Sequence, residues 1–196
     1  MTGPLVYVMG PSGAGKDSVL ERARNMLSID APVVFAHRYI TRPADVGGEN
    51  HVALSRAEFA MRRAHGLFAF HWHAHGNDYG IGREIDTWRA ADLTVVVSGS
   101  REHYEKVAGN AGLHPVLITA PLDKLRARLA SRGRESEAAA ASRLERSEAY
   151  AVSDPRLVTI VNDGALEASA DAFIRALATL RSSPAARRRA RIAPAR

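Results

Sequence analysis

The fold is decided near the start of the chain by the stretch Leu5-Val6-Tyr7-Val8-Met9-Gly10-Pro11-Ser12-Gly13-Ala14-Gly15-Lys16-Asp17. The apolar run predicts a buried strand, and the turn after it fits G-x-x-x-x-G-K, the phosphate-binding loop or P-loop. Glycines let the backbone turn its N–H groups inward around an anion, and a helix starting at Lys16 adds the positive end of its dipole. We therefore expect a nucleoside triphosphate, bound by Gly10, Pro11, Ser12, Gly13, Ala14, Gly15, Lys16, Asp17 and Ser18.

The residue after the P-loop lysine departs from the common pattern. Asp17 stands where Ser or Thr usually supplies a hydroxyl ligand to Mg²⁺, and Ser18 follows one position later. Either Asp17 binds the metal, directly or through water, or Ser18 supplies the hydroxyl. The sequence leaves both possibilities open.

Bulk composition excludes several classes of protein. A length of 196 residues with 46% hydrophobic residues fits one α/β domain, which we place at residues 1–180. Without cysteine, the chain has neither disulfides nor a thiolate metal site. No apolar run approaches a membrane span, and no basic-then-apolar leader begins the chain. We expect a soluble, cytoplasmic protein without a membrane partner.

The positive charge is concentrated at the C-terminus. The net charge is +6, and six arginines without an acid lie in the last sixteen residues, so residues 1–180 are formally neutral. We interpret residues 181–196 as a flexible, solvated tail and expect no specific nucleic-acid partner.

Short strands alternate with helices along most of the chain. This alternation predicts a three-layer α/β/α fold with a parallel central sheet. The stretch 41–80 interrupts it and is expected to form an acceptor-binding lobe, in which Ser55 caps a helix and Phe68–Tyr79 is extended or irregular. Further helices are predicted at Glu102–Ala111 and Leu166–Leu180. Residues 132–147 are expected to form a mobile lid, because they carry Arg132, Arg134, Arg143 and Arg146.

The order of short motifs resembles the guanylate kinase fold group. After the P-loop come T-R-P at 41–43, H-G-N-D-Y-G at 75–80, R-G-R-E at 132–135 and V-N-D at 161–163, so that the resemblance spans about residues 4–180. It implies a P-loop kinase with an acceptor lobe and an arginine-bearing lid. It also implies that Arg42 and Tyr79 contact the acceptor phosphate and that Asn162 and Asp163 belong to the adenine-side loop.

The departures from that group concern the side chains that read guanine. Carboxylates suit guanine because its edge offers N–H donors. This chain has His71 where a glutamate is expected, and the sequence Ser98-Gly99-Ser100 where an acidic pair is expected. A further departure does not concern guanine: Asp45 replaces a second arginine, three residues after the T-R motif. Each unpaired donor costs roughly 1–3 kcal/mol. GMP is therefore a poor candidate acceptor.

One branch of the group shares these departures. The stretches at 10–18, 38–51, 71–81 and 98–101 resemble the ribose 1,5-bisphosphate phosphokinases of bacterial phosphonate breakdown. The resemblance implies that ATP, with Mg²⁺, phosphorylates ribose 1,5-bisphosphate to 5-phosphoribosyl 1-diphosphate (PRPP) and releases ADP. A sugar phosphate without a base agrees with the absent carboxylates.

Within that reaction, positioning and charge neutralisation carry the catalysis. The catalytic candidates are Lys16, Arg42, Arg132 and Arg143, with Arg134 beside the nucleotide. The candidates for the substrate's phosphates and hydroxyls are Arg38, Arg42, Glu49, His51, Tyr79 and Arg101. The oligomeric state is undetermined, and a homodimer is left open.

Three alternatives share parts of this pattern. A guanylate kinase has the same P-loop, T-R motif and lid, but the missing carboxylates argue against it. The second alternative is a non-catalytic guanylate-kinase-like binding module. The intact Lys16 argues against it, because such a module does not need a catalytic lysine. A P-loop kinase of another small metabolite, such as a sugar acid, is the third alternative.

Overall fold

A computed structural model of the chain describes residues 2–43, 51–110, 112–131 and 152–182. The strands are β1 (Leu5–Met9), β2 (Val33–Phe35), β3 (Arg38–Ile40), β4 (His51–Ala53), β5 (Phe68–Ala74), β6 (Asn77–Gly82), β7 (Thr94–Ser98), β8 (Leu113–Thr119) and β9 (Val158–Val161). The helices are α1 (Lys16–Met26), α2 (Arg56–Ala64), α3 (Glu84–Ala90), α4 (Arg101–Val107), α5 (Leu122–Ser131) and α6 (Leu166–Ser182). Within the described residues, strands and helices alternate as the sequence predicts, except between residues 33 and 82, where β2, β3 and β4, and then β5 and β6, follow one another without a helix.

A five-stranded sheet has the order β2-β7-β1-β8-β9. The β2–β7 and β8–β9 pairs are parallel, as expected for strands joined through helices. All five side chains of β1 are buried, as are all five of β7, which explains why both read as continuous apolar runs. The predicted α/β fold with a mostly parallel central sheet is therefore confirmed.

A second sheet has four strands in the order β4-β3-β6-β5, and β4, β5 and most of β6 come from the stretch 41–80, the predicted acceptor lobe. Strands β5 and β6 form an antiparallel hairpin, so the segment that the sequence indicates only as extended or irregular is regular. Strand β3 pairs antiparallel with β6 and parallel with β4. The Ser55 side chain accepts a hydrogen bond of 3.1 Å from the backbone N–H of Glu58, which confirms the predicted cap of α2.

The chain divides into two compact units. The first comprises residues 1–6 and 32–98 and includes the four-stranded sheet. The second comprises residues 7–31 and 99–196 and includes the P-loop, α1, β8, β9 and α6. Buried side chains in the second unit include Tyr7, Tyr104 and Phe173.

Two predicted helix ends are wrong. Helix α4 ends at Val107 rather than Ala111, because Gly109 and Asn110 disfavour a helix and the N–H of Asn110 turns back to the carbonyl of Val107. Helix α6 continues to Ser182, two residues beyond the predicted end.

The predicted lid at 132–147 and the tail residues 183–196 lie outside the described residues. Among the described residues, no helix is long and apolar enough to cross a lipid bilayer.

Candidate active site

The P-loop connects the buried strand β1 to helix α1. Gly13 and Gly15 have φ angles of 86° and 77°, in the left-handed region that glycine adopts without strain. Gly15 is the N-cap of α1, so the loop ends at the positive end of a helix of eleven residues. Two left-handed glycines before a helix N-terminus are compatible with the predicted anion-binding loop.

Lys16 forms an ion pair with its neighbour Asp17. The distance from Lys16 Nζ to Asp17 Oδ1 is 2.9 Å, and the side chains are 11% and 41% exposed respectively. The carboxylate thus contacts the P-loop cation directly, whereas the other metal candidate, Ser18, is exposed on α1. A carboxylate is a hard oxygen ligand of the kind that Mg²⁺ prefers.

Asn162 follows β9 and contacts the P-loop backbone across a separation of 148 residues. Its side-chain Nδ2 donates to the carbonyl of Ala14 at 2.8 Å, and its Oδ1 accepts from Ser169 Oγ of α6 at 3.2 Å. Asn162 is 4% exposed. The resemblance assigns Asn162 to the adenine side, but the structure shows both ends of its amide in contact with protein groups.

Arg128 of α5 contacts the same part of the loop. Its guanidinium donates to the carbonyls of Gly13, Ala14 and Asn162 at 3.4, 3.5 and 3.1 Å. Beside it, Lys124 donates to the carbonyl of Asp163, whose side chain is exposed. Arg128 and Ser169 were not predicted from the sequence, because their partners are distant along the chain and no local pattern marks them.

The acceptor-lobe candidates lie on the four-stranded sheet and the turn after β3. Arg38 of β3 is buried, with its guanidinium carbon 5.7 Å from the centre of the Tyr79 ring. On β6, Tyr79 is stacked with Trp72 of β5 at a centroid distance of 5.4 Å and an interplanar angle of 6°. A cation and two aromatic rings are therefore adjacent on this sheet, and one of the rings belongs to Trp72, which was not among the predicted site residues.

The T-R motif is held by backbone and side-chain bonds. The backbone N–H of Thr41 donates to the carbonyl of Asp78 at 3.1 Å, and the Thr41 Oγ1 accepts a hydrogen bond from the backbone N–H of Asp78 at 2.9 Å. These bonds fix the chain immediately before Arg42. The Nε2 atom of the buried His51 lies 3.1 Å from the carbonyl oxygen of Arg42. His51 therefore contacts the backbone of the motif.

The remaining candidates either belong to the second unit or lie outside the described residues. Arg101 begins α4 in the second unit, directly after Ser100, whose hydroxyl accepts from the N–H of His103. Ser98, Gly99 and Ser100 occupy the end of β7 and the cap of α4, where the guanine-reading carboxylates are absent. Glu49, Arg132, Arg134 and Arg143 lie outside the described residues.

The geometry divides the candidates into two sets. Lys16, Asp17, Asn162 and Arg128 lie together around the P-loop of the second unit. Arg38, Arg42, His51 and Tyr79 belong to the first unit. In the described part of the chain, no group of three or more His, Asp or Glu side chains could hold a metal ion by itself.

The chain is similar to curated kinases and to a solved structure. It is 55% identical over 163 residues to the ribose 1,5-bisphosphate phosphokinase PhnN of Desulfomicrobium baculatum, covering 83% of this chain and 87% of that protein. The PhnN of Thiobacillus denitrificans is 46% identical over 176 residues, covering 89% of this chain and 93% of that protein.

The structure resembles the guanylate kinase of Anaplasma phagocytophilum with a TM-score of 0.63 and 20% identity, covering 93% of this chain and 88% of that chain. A likeness at this identity shows the fold alone. No protein-family model matches the chain. The sequence identities and their coverage show that the chain belongs to the ribose 1,5-bisphosphate phosphokinase family, built on the P-loop kinase fold of the guanylate kinases.

Proposed function

We propose that this enzyme transfers the γ-phosphoryl group of ATP to ribose 1,5-bisphosphate, which yields PRPP and ADP. The observation that carries the proposal is identity of 55% and 46% with two proteins of that name over most of the chain. The absence of carboxylates at His71 and at Ser98-Gly99-Ser100 supports it, because a sugar phosphate needs no acceptors for guanine N–H donors. Since ATP is a cytoplasmic metabolite, we assign the enzyme to the cytoplasm.

The P-loop residues fit a nucleotide. A Cβ atom on Gly15 would lie 2.5 Å from Asn162 Nδ2, so only glycine leaves space for the loop in this left-handed conformation. The loop N–H groups, the α1 N-terminus and Lys16 would hold the β- and γ-phosphates. Lys16 would exchange its contact with Asp17 for the phosphate oxygens.

Asp17 fits Mg²⁺ better than Ser18 does. Its carboxylate reaches the Lys16 ammonium, which places an anionic oxygen beside the predicted phosphate site. Protein-bound Mg²⁺ usually relies on one or two carboxylates together with substrate phosphates and water. When bound, the metal neutralises charge on the phosphates; Asp17 would hold it there.

The acceptor phosphate requires no general base, because phosphate oxygens are ionised at neutral pH. An oxygen of the 1-phosphate attacks the γ-phosphorus, and the bond from that phosphorus to the bridging oxygen of ADP breaks. We assign Arg42 and Arg38 to the two phosphates of the sugar, because a planar guanidinium suits bidentate contacts. By resemblance, Arg132, Arg134 and Arg143 would add positive charge around the transferring group.

The test is ADP release from Mg-ATP with ribose 1,5-bisphosphate and, in parallel, with GMP. We expect turnover of the sugar bisphosphate, formation of PRPP and no turnover of GMP. Lys16→Ala is the blank and should lose activity by about a hundredfold or more, because it removes a charge that stabilises the transition state. GMP as the better acceptor would refute the proposal and indicate a guanylate kinase. No turnover with either acceptor would also refute it and would leave a kinase of another small metabolite or a binding module.

A further inference from the structure

Two side chains that are distant along the chain donate hydrogen bonds to carbonyl oxygens of the P-loop. We propose that Asn162 and Arg128 are positioning residues, which hold the P-loop backbone in its phosphate-binding conformation. This inference rests on the proposed function, because it assumes that the loop binds a nucleotide. It gives Asn162 a task other than contact with adenine.

The orientation of the Asn162 amide follows from its two partners. Ser169 Oγ lies 3.2 Å from Oδ1, and the Ala14 carbonyl lies 2.8 Å from Nδ2. A flipped amide would set Oδ1 against the carbonyl oxygen of Ala14, which is also an acceptor. Ser169 therefore helps to direct the Asn162 N–H groups towards the loop.

The direction of the Ala14 carbonyl determines the direction of the next N–H. In a trans peptide, the C=O of one residue and the N–H of the next lie in the peptide plane and point in opposite directions across the C–N bond. The Ala14 carbonyl faces Asn162 and Arg128, so the N–H of Gly15 is directed away from them. The hydrogen bonds that fix the Ala14 carbonyl thus also fix the direction of the Gly15 N–H, one donor of the predicted anion nest.

The positive charge of Arg128 favours the same orientation of the loop peptides. Its guanidinium lies on the carbonyl side of the loop, 3.4 Å from the Gly13 oxygen and 3.5 Å from the Ala14 oxygen. A cation at the negative ends of the peptide dipoles favours their alignment with N–H groups on the other side. Arg128 also donates to the Asn162 carbonyl at 3.1 Å, which joins the two positioning residues.

Three variants of the full-length chain separate positioning from folding. Asn162→Asp preserves the size of the side chain and its acceptor towards Ser169 but removes the donor to Ala14. Arg128→Gln removes the charge from a partly exposed side chain, and Ser169→Ala leaves the amide in place without its orienting partner. The matched control is Arg126→Ala, because Arg126 is an exposed arginine on the same helix.

The test measures the Kd for Mg-ADP by titration calorimetry, and it measures backbone hydrogen exchange without nucleotide. We expect Asn162→Asp and Arg128→Gln to weaken Mg-ADP binding by about tenfold, the equivalent of one hydrogen bond, with a smaller loss for Ser169→Ala. Exchange should accelerate in residues 10–18 and stay unchanged in β8 and α6. The KM for the sugar bisphosphate should also be unchanged, and Arg126→Ala should match the wild type in all measurements.

Folded variants with wild-type Mg-ADP affinity and wild-type exchange in residues 10–18 would overturn the inference while leaving the proposed function intact. Acceleration spread over the whole second unit would also overturn it, because the residues would then serve general stability. A wild-type protein that binds no Mg-ADP would instead refute the proposed function and the inference with it.

Discussion

At the residue scale, the carboxylate of Asp17 distinguishes this P-loop from the common pattern. It lies 2.9 Å from Lys16 Nζ, and the lysine side chain is only 11% exposed. A triphosphate without metal would have to displace Asp17 from Lys16 and would be repelled by the released carboxylate. A metal-bound triphosphate would attract the same carboxylate. We infer that Asp17 makes the enzyme select the metal complex.

Replacing Asp17 should change the response to magnesium. We expect Asp17→Asn to raise the free Mg²⁺ concentration required for half-maximal rate by about tenfold, because an amide is a weaker ligand than a carboxylate. Asp17→Ser, which restores the common hydroxyl ligand, should recover part of the loss. The measurement is the initial rate against free Mg²⁺ at saturating ATP.

The control for this prediction is Asp123→Asn. Asp123 is also the second residue of its helix, α5, and its side chain is exposed. Its substitution should leave the magnesium response unchanged. If Asp17→Asn and Asp17→Ser both responded to Mg²⁺ as the wild type does, Asp17 would not be a metal ligand.

At the element scale, the β5–β6 hairpin depends on one close contact across its strands. A Cβ atom on Gly80 would lie 2.6 Å from Cε1 of Phe68, so glycine provides the space for that ring. Phe68 packs with Phe59 and Leu54 in a buried cluster, and its ring is 4.6 Å from that of Phe59. Gly80 thus lets the hairpin and helix α2 share one small core.

We expect Gly80→Ala to destabilise the protein by about 1–3 kcal/mol, the usual cost of an added methyl group in a packed core. Gly109→Ala is the control, because a Cβ there meets no atom within 4 Å. The measurement is the free energy of unfolding in urea. Equal stability of Gly80→Ala and the wild type would show that Phe68 moves without cost.

At the scale of the whole molecule, a polar network joins distant parts of the second unit. Asp154 accepts from Tyr104 Oη at 2.5 Å and from Arg156 at 2.7 and 3.0 Å. Arg156 also donates to the carbonyls of Ala108 and Leu113. The hydrogen bonds from Arg156 and then Tyr104 hold the Asp154 pKa well below its usual range. Burial and the bond to Asp154 raise the pKa of Tyr104 to about 12.

The depressed pKa of Asp154 predicts the pH dependence of stability. A carboxyl group whose pKa is lower in the folded state contributes stability above its unfolded pKa of about 4, and this is lost as the pH falls towards the folded value. We expect Asp154→Asn to lower the unfolding free energy at pH 7 by about 1.5–3 kcal/mol, the range for charged hydrogen bonds. That difference should shrink below about pH 4.

Urea unfolding of wild type and Asp154→Asn between pH 3 and pH 8 tests this prediction. Asp171→Asn provides the control, because Asp171 is exposed on α6 and should give a small difference without this trend. A gap between wild type and Asp154→Asn that stays constant down to pH 3 would show that the ion pair with Arg156 does not govern acid stability.

Local features were predictable because their causes lie within a few residues. The buried strand β1, the P-loop, the start of α1 at Lys16 and the Ser55 cap each depend on neighbouring residues, and each appears where the sequence predicts it. The end of α4 was not predictable from apolar periodicity alone, because Gly109 and Asn110 stop it before the periodic pattern ends.

The sequence by itself determined the fold class, the P-loop and the kind of kinase, since these rest on short motifs in a particular order. Only the tertiary structure decided which side chains support that loop. Asn162 lies 148 residues from Ala14 along the chain, and Arg128 lies 115 from Gly13. The packing of β9 and α5 beside the loop creates these contacts. Such hydrogen bonds depend on distance in space, which local periodicity does not encode.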